Sequence, residues 1–166
     1  MPSSPQPIRT FLIAEVQNFL TGAARLPGVR RIAMIGSLTT PMPDPKDADL
    51  LIWVDDALDL KRLATAGRQL KGRAQTRNHG ADLFLVSPAN EYLGRICRFR
   101  DCRPGIRASC PALHCGRRPH LCDDLQVITL PPAVIKAPPV DLWPTPAIHA
   151  PVPDDLQGLV HNTPET

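Results

Sequence analysis

Residues 31–54 read RIAMIGSLTTPMPDPKDADLLIWV, and the fold is decided there. Arg31 to Ile35 is a short apolar run that stops at Gly36-Ser37, a turn signal. A Pro-rich loop follows, and Asp47-Ala48-Asp49 then opens a second apolar run, Leu50 to Val54. Runs of this length bounded by turn residues predict two strands, about Val29–Ile35 and Ala48–Val54. Side chains at i and i+2 of a strand share a face, so Asp47 and Asp49 project together from one edge of a sheet. Two carboxylates held side by side need a cation to offset their repulsion. A site built only of oxygen ligands favours a hard ion such as Mg²⁺.

Outward from this stretch, Ile8, Phe11, Leu12, Phe19, Leu20 and Ala23 recur mostly every three or four residues. That spacing predicts an amphipathic helix from Ile8 to Arg25, ended by Leu26-Pro27-Gly28. On the other side, Asp55-Asp56 can cap a helix from Ala57 to Arg73, and Asn78-His79-Gly80 marks a turn before a third strand, Ala81–Val86. Ser87-Pro88 then offers an N-cap and a first-turn proline for a short helix through Ile96. Helix, strand, strand, helix, strand is the order of an α/β (α+β) domain with a small mixed sheet and flanking helices.

The combination of an apolar residue with Gly-Ser, a short loop, and Asp-apolar-Asp-apolar resembles the nucleotidyltransferase superfamily typified by DNA polymerase beta, in particular its minimal bacterial members. Here the elements are Ile35-Gly36-Ser37, nine loop residues, and Asp47-Ala48-Asp49-Leu50. The resemblance covers roughly residues 8–90 and asks for a third carboxylate on a later strand, which Asp82 in Ala81-Asp82-Leu83-Phe84 supplies. It implies Asp47, Asp49 and Asp82 as catalytic residues and ligands of Mg²⁺, two ions in all, with Gly36 and Ser37 binding the phosphates of a nucleoside triphosphate (NTP) such as ATP. Where many members carry Ala-Arg-Gly after Gly-Ser, this chain has Leu38-Thr39-Thr40-Pro41. The cation missing there has its nearest dense supply in Arg95 to Arg107, with Arg95 and Arg98 closest, so these are read as nucleotide-binding residues. The acceptor of the transferred nucleotide is a small molecule, a protein or RNA.

Beyond residue 96 the chain changes character. Between Arg95 and Arg118 seven arginines stand against one acid, Asp101. This basic segment can meet a nucleic-acid backbone, or can serve local ion pairs and solubility; phosphate is a natural partner of guanidinium. The chain's five cysteines, Cys97, Cys102, Cys110, Cys115 and Cys122, all lie between positions 97 and 122 and contain no pair separated by two residues. Cys97, Cys102, Cys110 and Cys115 form two pairs with four-residue gaps that could hold a structural zinc; free thiols are the other reading. Leu125 to Ile128 offers one more strand. Nine prolines in residues 131–166 then argue against further packed helices or central strands. Val134, Ile135, Leu142 and Trp143 suggest an extended arm over residues 131–144 that packs in part, and disorder is expected from Thr145.

The organisation expected is a disordered lead (1–7), a nucleotidyltransferase-like core (8–96), a Cys/Arg-rich segment packed on it (97–130), and a Pro-rich arm with a disordered tail (131–166). Asp44, Asp55 and Asp56 are read as loop acids and a cap, and Trp53 and Trp143 as packing residues. No stretch approaches the apolar length of a membrane span, and the N-terminus has no basic-then-apolar leader, so a cytoplasmic location without membrane association is expected. The leading reading is a Mg²⁺-dependent enzyme moving a nucleoside monophosphate to an acceptor hydroxyl. Two others stand beside it: an idle nucleotidyltransferase-like binding or antitoxin-type module, and a zinc-stabilised nucleic-acid-binding protein.

Overall fold

The computed structural model describes residues 4–99, 110, 118–123, 125–126 and 128–161. Its framework is a mixed sheet of seven strands in the order β5-β4-β3-β2-β1-β6-β7. These are β1 (Val29–Ile35), β2 (Asp47–Val54), β3 (Gly80–Val86), β4 (Tyr92–Ile96), β5 (Leu121–Cys122), β6 (Val140–Trp143) and β7 (Ala147–Ile148). Only β2 and β3 run parallel, with Asp47 opposite Gly80 and Asp49 opposite Asp82; every other pair is antiparallel. The crossover between the parallel strands is α2 (Lys61–Gln75), which packs beside α1 (Ile8–Ala23). Two one-turn helices, α3 (Pro132–Lys136) and α4 (Gln157–His161), complete the set among the described residues. The expected α/β class with a mixed sheet and flanking helices is the one observed.

Strand alternation divides the apolar residues into two layers. Ile32, Met34, Leu50, Ile52, Leu83 and Leu85 face α1 and α2 and join Leu12, Val16, Leu63 and Leu70 in the main core. Ala33, Ile35, Leu51, Trp53, Phe84 and Val86 form a second cluster on the opposite face, closed by Ile135 of α3. Asp47 and Asp49 share the alternation of Leu51 and Trp53, and Asp82 that of Phe84 and Val86. All three carboxylates therefore alternate with the second layer, at the N-terminal ends of β2 and β3, where Asp82 also comes within reach of Lys71 of α2.

Several expectations give way. The residues after Ser87-Pro88 form a turn and then β4, where a short helix was expected. Ser87 Oγ does accept a backbone bond, from Glu91 N at 3.1 Å, and Asn90 turns the chain at φ 64°, so the cap-like pair closes a hairpin. Asp55 does not cap α2: it pairs with Arg30 at 2.6 Å, and the helix begins later, with Asp59 Oδ1 accepting from Lys61 N at 3.0 Å. Leu125 and Gln126 lie in a turn, so the strand read there moves to Leu121–Cys122; Val127 lies outside the described residues. The arm contributes β6, an interior strand between β1 and β7. Its prolines flank the strand, at Pro138, Pro139 and Pro144, leaving Val140 to Trp143 with every backbone N–H. Asp141, 7% exposed, is satisfied there by Arg31 Nε at 2.6 Å and His149 Nε2 at 2.7 Å. The disorder expected from Thr145 is replaced through residue 161 by β7, a 3₁₀ turn (Asp154–Leu156) and α4, because Leu156 and Leu159 sink into the main core. No helix among the described residues is long and apolar enough to cross a membrane.

Candidate active site

The acidic site is assembled from the ends of three strands. β1 terminates at Gly36, whose φ of 78° lies in the region that favours glycine. The turn that follows winds Ser37–Thr39 into a 3₁₀ helix, held by Thr39 N and Thr40 N donating to Gly36 O and Ser37 O at 3.0 and 3.1 Å. A second requirement falls on Gly36: a Cβ there would lie 2.6 Å from Asp49 Oδ2. Gly80 plays the same part for the neighbouring acid, since a Cβ on it would collide with Asp47 Oδ1. Each of the paired carboxylates is thus seated against a glycine of the adjoining strand end. Gly80 was legible in the sequence only as a turn residue; its service to Asp47 depends on the register that sets the two opposite each other.

Asp49 shows what this crowding does. Burial, then Asp47, then Asp82 push its carboxyl up to about 7, and Arg95 and Lys71 only partly offset them. Such a group is short of positive charge, which is the electrostatic condition a divalent cation relieves. The donors present, carboxylate oxygens only, suit Mg²⁺ in kind. Asp82, however, is already engaged. Its Oδ1 lies 3.5 Å from Lys71 Nζ and 3.6 Å from Arg95 Nη1, and among the described residues no three His, Cys, Asp or Glu side chains gather into a group that could hold a metal ion. Asp47 and Asp49 offer oxygen donors of the kind such an ion takes; Asp82 would have to exchange its cations for it.

Lys71 is the site residue that sequence reasoning missed. It stands one turn beyond Gly67 on α2, and a Cβ at Gly67 would be 2.8 Å from Leu83 Cδ2. The bare glycine lets α2 settle onto β3, which brings the next turn of the helix level with Asp82. A small residue four positions before a lysine was the available signal, but it becomes informative only once the partner strand is known.

The remaining expected residues gather beside Asp82. Arg95 sits on β4 opposite Phe84 and so shares the face of the three acids. With Lys71, Asp82, Arg98, Phe99 and Cys110 it lines a cavity of about 130 Å³ that does not include Gly36 or Ser37. Arg98 is exposed and stacks its guanidinium 4.8 Å from the Phe99 ring centroid. Arg68 of α2 ties this edge down by donating to the carbonyls of Cys97 at 3.2 Å and Phe99 at 2.8 Å. Of the four cysteines expected to hold zinc, Cys97 and Cys110 line the cavity, whereas Cys102 and Cys115 lie outside the described residues, as does most of the Arg95–Arg118 segment. Cys122, not among those four, lines the same cavity, and none of Cys97, Cys110 and Cys122 is in a disulfide. On the opposite side of the acids, the loop after Ser37 is pinned by Asp44 Oδ1, 2.9 Å from His79 Nε2; that contact and the Arg77 carbonyl raise the His79 pKa. Three comparisons with known proteins return nothing that matches this chain: no family model, no curated protein and no solved structure.

Proposed function

We propose that the chain is a Mg²⁺-dependent nucleotidyltransferase, cytoplasmic, moving a nucleoside monophosphate from an NTP to an acceptor hydroxyl. One observation carries the reading: Asp49 stands in direct cross-strand register with Asp82, Asp47 shares their alternation two residues before Asp49, and all lie beside the positive-φ turn at Gly36. In this reading Gly36 lets the backbone come close to the phosphates and the Ser37 hydroxyl donates to a phosphate oxygen. Asp47 and Asp49 would hold Mg²⁺, which supplies charge neutralisation at the phosphate when bound. Asp82 would take the proton of the attacking hydroxyl after Lys71 and Arg95 release it. Arg95 and Arg98 offset phosphate charge at the same edge, with Lys71 as a third cation. Much of the catalytic effect is then positioning and charge compensation. Incubating the protein with each labelled NTP and Mg²⁺, alone and with cell lysate, should release pyrophosphate and transfer label, and Asp49→Asn should abolish both while the fold persists. Equal release by wild type and Asp49→Asn would end the proposal.

A second reading is favoured by the engagement of Asp82. Two cations on one carboxylate resemble the charge pattern of a site that has replaced its metal, so an idle nucleotide-binding or regulatory module is the alternative. Nucleotide binding without pyrophosphate release, unchanged by Mg²⁺, is its signature.

A further inference from the structure

Arg9 lies in the first turn of α1, remote in sequence from the acids, and its side chain is 11% exposed. A guanidinium has five N–H donors in a fixed plane. Arg9 uses them all. Nε and one N–H of Nη2 form a fork on Asp155, at 2.8 Å to Oδ2 and 2.9 Å to Oδ1. Nη1 donates to the carbonyls of Thr40 at 2.8 Å and Met42 at 3.2 Å, and the second N–H of Nη2 donates to Leu38 O at 2.9 Å. These three carbonyls belong to the loop that follows Gly36-Ser37, where Pro41 and Pro43 cannot donate backbone bonds of their own. The loop's shape therefore depends on a side chain from α1, and that side chain is oriented by a carboxylate from the C-terminal 3₁₀ turn.

We infer that Arg9, anchored by Asp155, is a positioning residue for the Gly36-Ser37 loop. It sets the loop in the conformation that receives phosphate, and the C-terminal segment completes the site from a distance. Asp155 neutralises Arg9 and the loop carbonyls occupy its remaining donors, so Arg9 acts through the loop and does not itself meet the nucleotide. Loss of Asp155 leaves the guanidinium free to swing from its carbonyls, so events at residues 153–161 are transmitted to the loop. The nucleotide consequence rests on the proposed nucleotidyltransferase function; the mechanical coupling does not.

The test uses the full chain and its Arg9→Gln, Arg9→Lys and Asp155→Asn variants. Hydrogen exchange is read at Thr39 and Thr40, whose amides donate to Gly36 O and Ser37 O within the turn, and affinity for Mg-ATP, Mg-GTP, Mg-CTP and Mg-UTP is measured alongside. In Arg9→Gln these two amides should exchange about tenfold faster or more while β1 and β2 keep their protection, and NTP affinity should fall about tenfold. Asp155→Asn should move both readouts the same way but less, and it keeps the test available if Arg9→Gln fails to fold. Arg9→Lys should not restore the loop, because three ammonium donors cannot span two segments at once. In turnover, KM should rise with kcat nearly unchanged. Wild-type exchange at Thr39 and Thr40 in both Arg9→Gln and Asp155→Asn would overturn the inference, as would full rescue by lysine or unaltered NTP affinity with a loosened loop. A wild type that binds no NTP would remove the transferase reading and the nucleotide role with it, while the exchange readout would still decide the coupling.

Discussion

Burial and the charges of Asp47 and Asp82 lift the Asp49 carboxyl to about 7, with Arg95 and Lys71 pulling the other way. An aspartate in an unfolded chain ionises near 4. Between about pH 4 and 7 the metal-free native state therefore holds a proton that the unfolded state has given up, and this contribution to stability declines as pH rises through that window and is gone above it. Relative to Asp49→Asn, the wild type should lose up to a few kcal/mol from pH 4.5 to 7.5, read by urea unfolding. Mg²⁺ should recover part of that loss at the upper end. Parallel pH profiles for the two proteins would show that Asp49 is not the group responsible. The positions of Asp47, Asp49 and Asp82 were readable because side-chain alternation is a property of the strand itself. Lys71 was not, because its role depends on how closely α2 approaches β3, and the clearance at Gly67 is a tertiary fact.

The elements read best are those whose apolar pattern is long and uninterrupted: α1, β1, β2 and β3. Those misread are short and carry punctuation that has two meanings. Ser87-Pro88 can begin a helix or close a hairpin, and the chain takes the second course because Tyr92 to Ile96 can pair with β3. Prolines flanking β6 looked like breakers of the whole segment, although the strand needs N–H groups only at the four residues between them. Gly94 shows how finely the β4–β5 ribbon is fitted. It has φ 128°, and a Cβ there would collide with Cys122 O. Gly94→Ala should cost about 1–3 kcal/mol from backbone strain alone, and should separate β5 from β4. Urea unfolding measures the first effect, and faster hydrogen exchange at the Cys97 amide, which donates to His120 O at 2.7 Å, measures the second. Unchanged exchange and stability would mean that the ribbon can move aside.

Across the whole molecule, the closing segment contributes to the core more than its composition announced. Leu156 and Leu159 are 0% and 2% exposed, inside the cluster that also holds α1 and α2. Leu156→Ala should cost about 2–5 kcal/mol, visible as a lower urea midpoint with an unchanged slope. A shift of less than about 0.5 kcal/mol, the range of ordinary surface changes, would return residues 153–161 to the status of a tail. The sequence concealed this because two isolated leucines among prolines and acids have no period to detect. The position of β6 has a consequence for how the protein is made. β1 takes β2 as a neighbour soon after both are synthesised, but its other edge waits for residues 140–143. While the intervening hundred or so residues are translated, the strand carrying Ile32, Ala33 and Met34 has an open side, and an open apolar strand invites pairing with other chains. A ribosome stalled before Val140 would thus hold a nascent chain that already has Asp47, Asp49 and Asp82 yet is sticky along the middle of its sheet, and a chaperone that shields this edge would be needed only until residues 140–143 emerge.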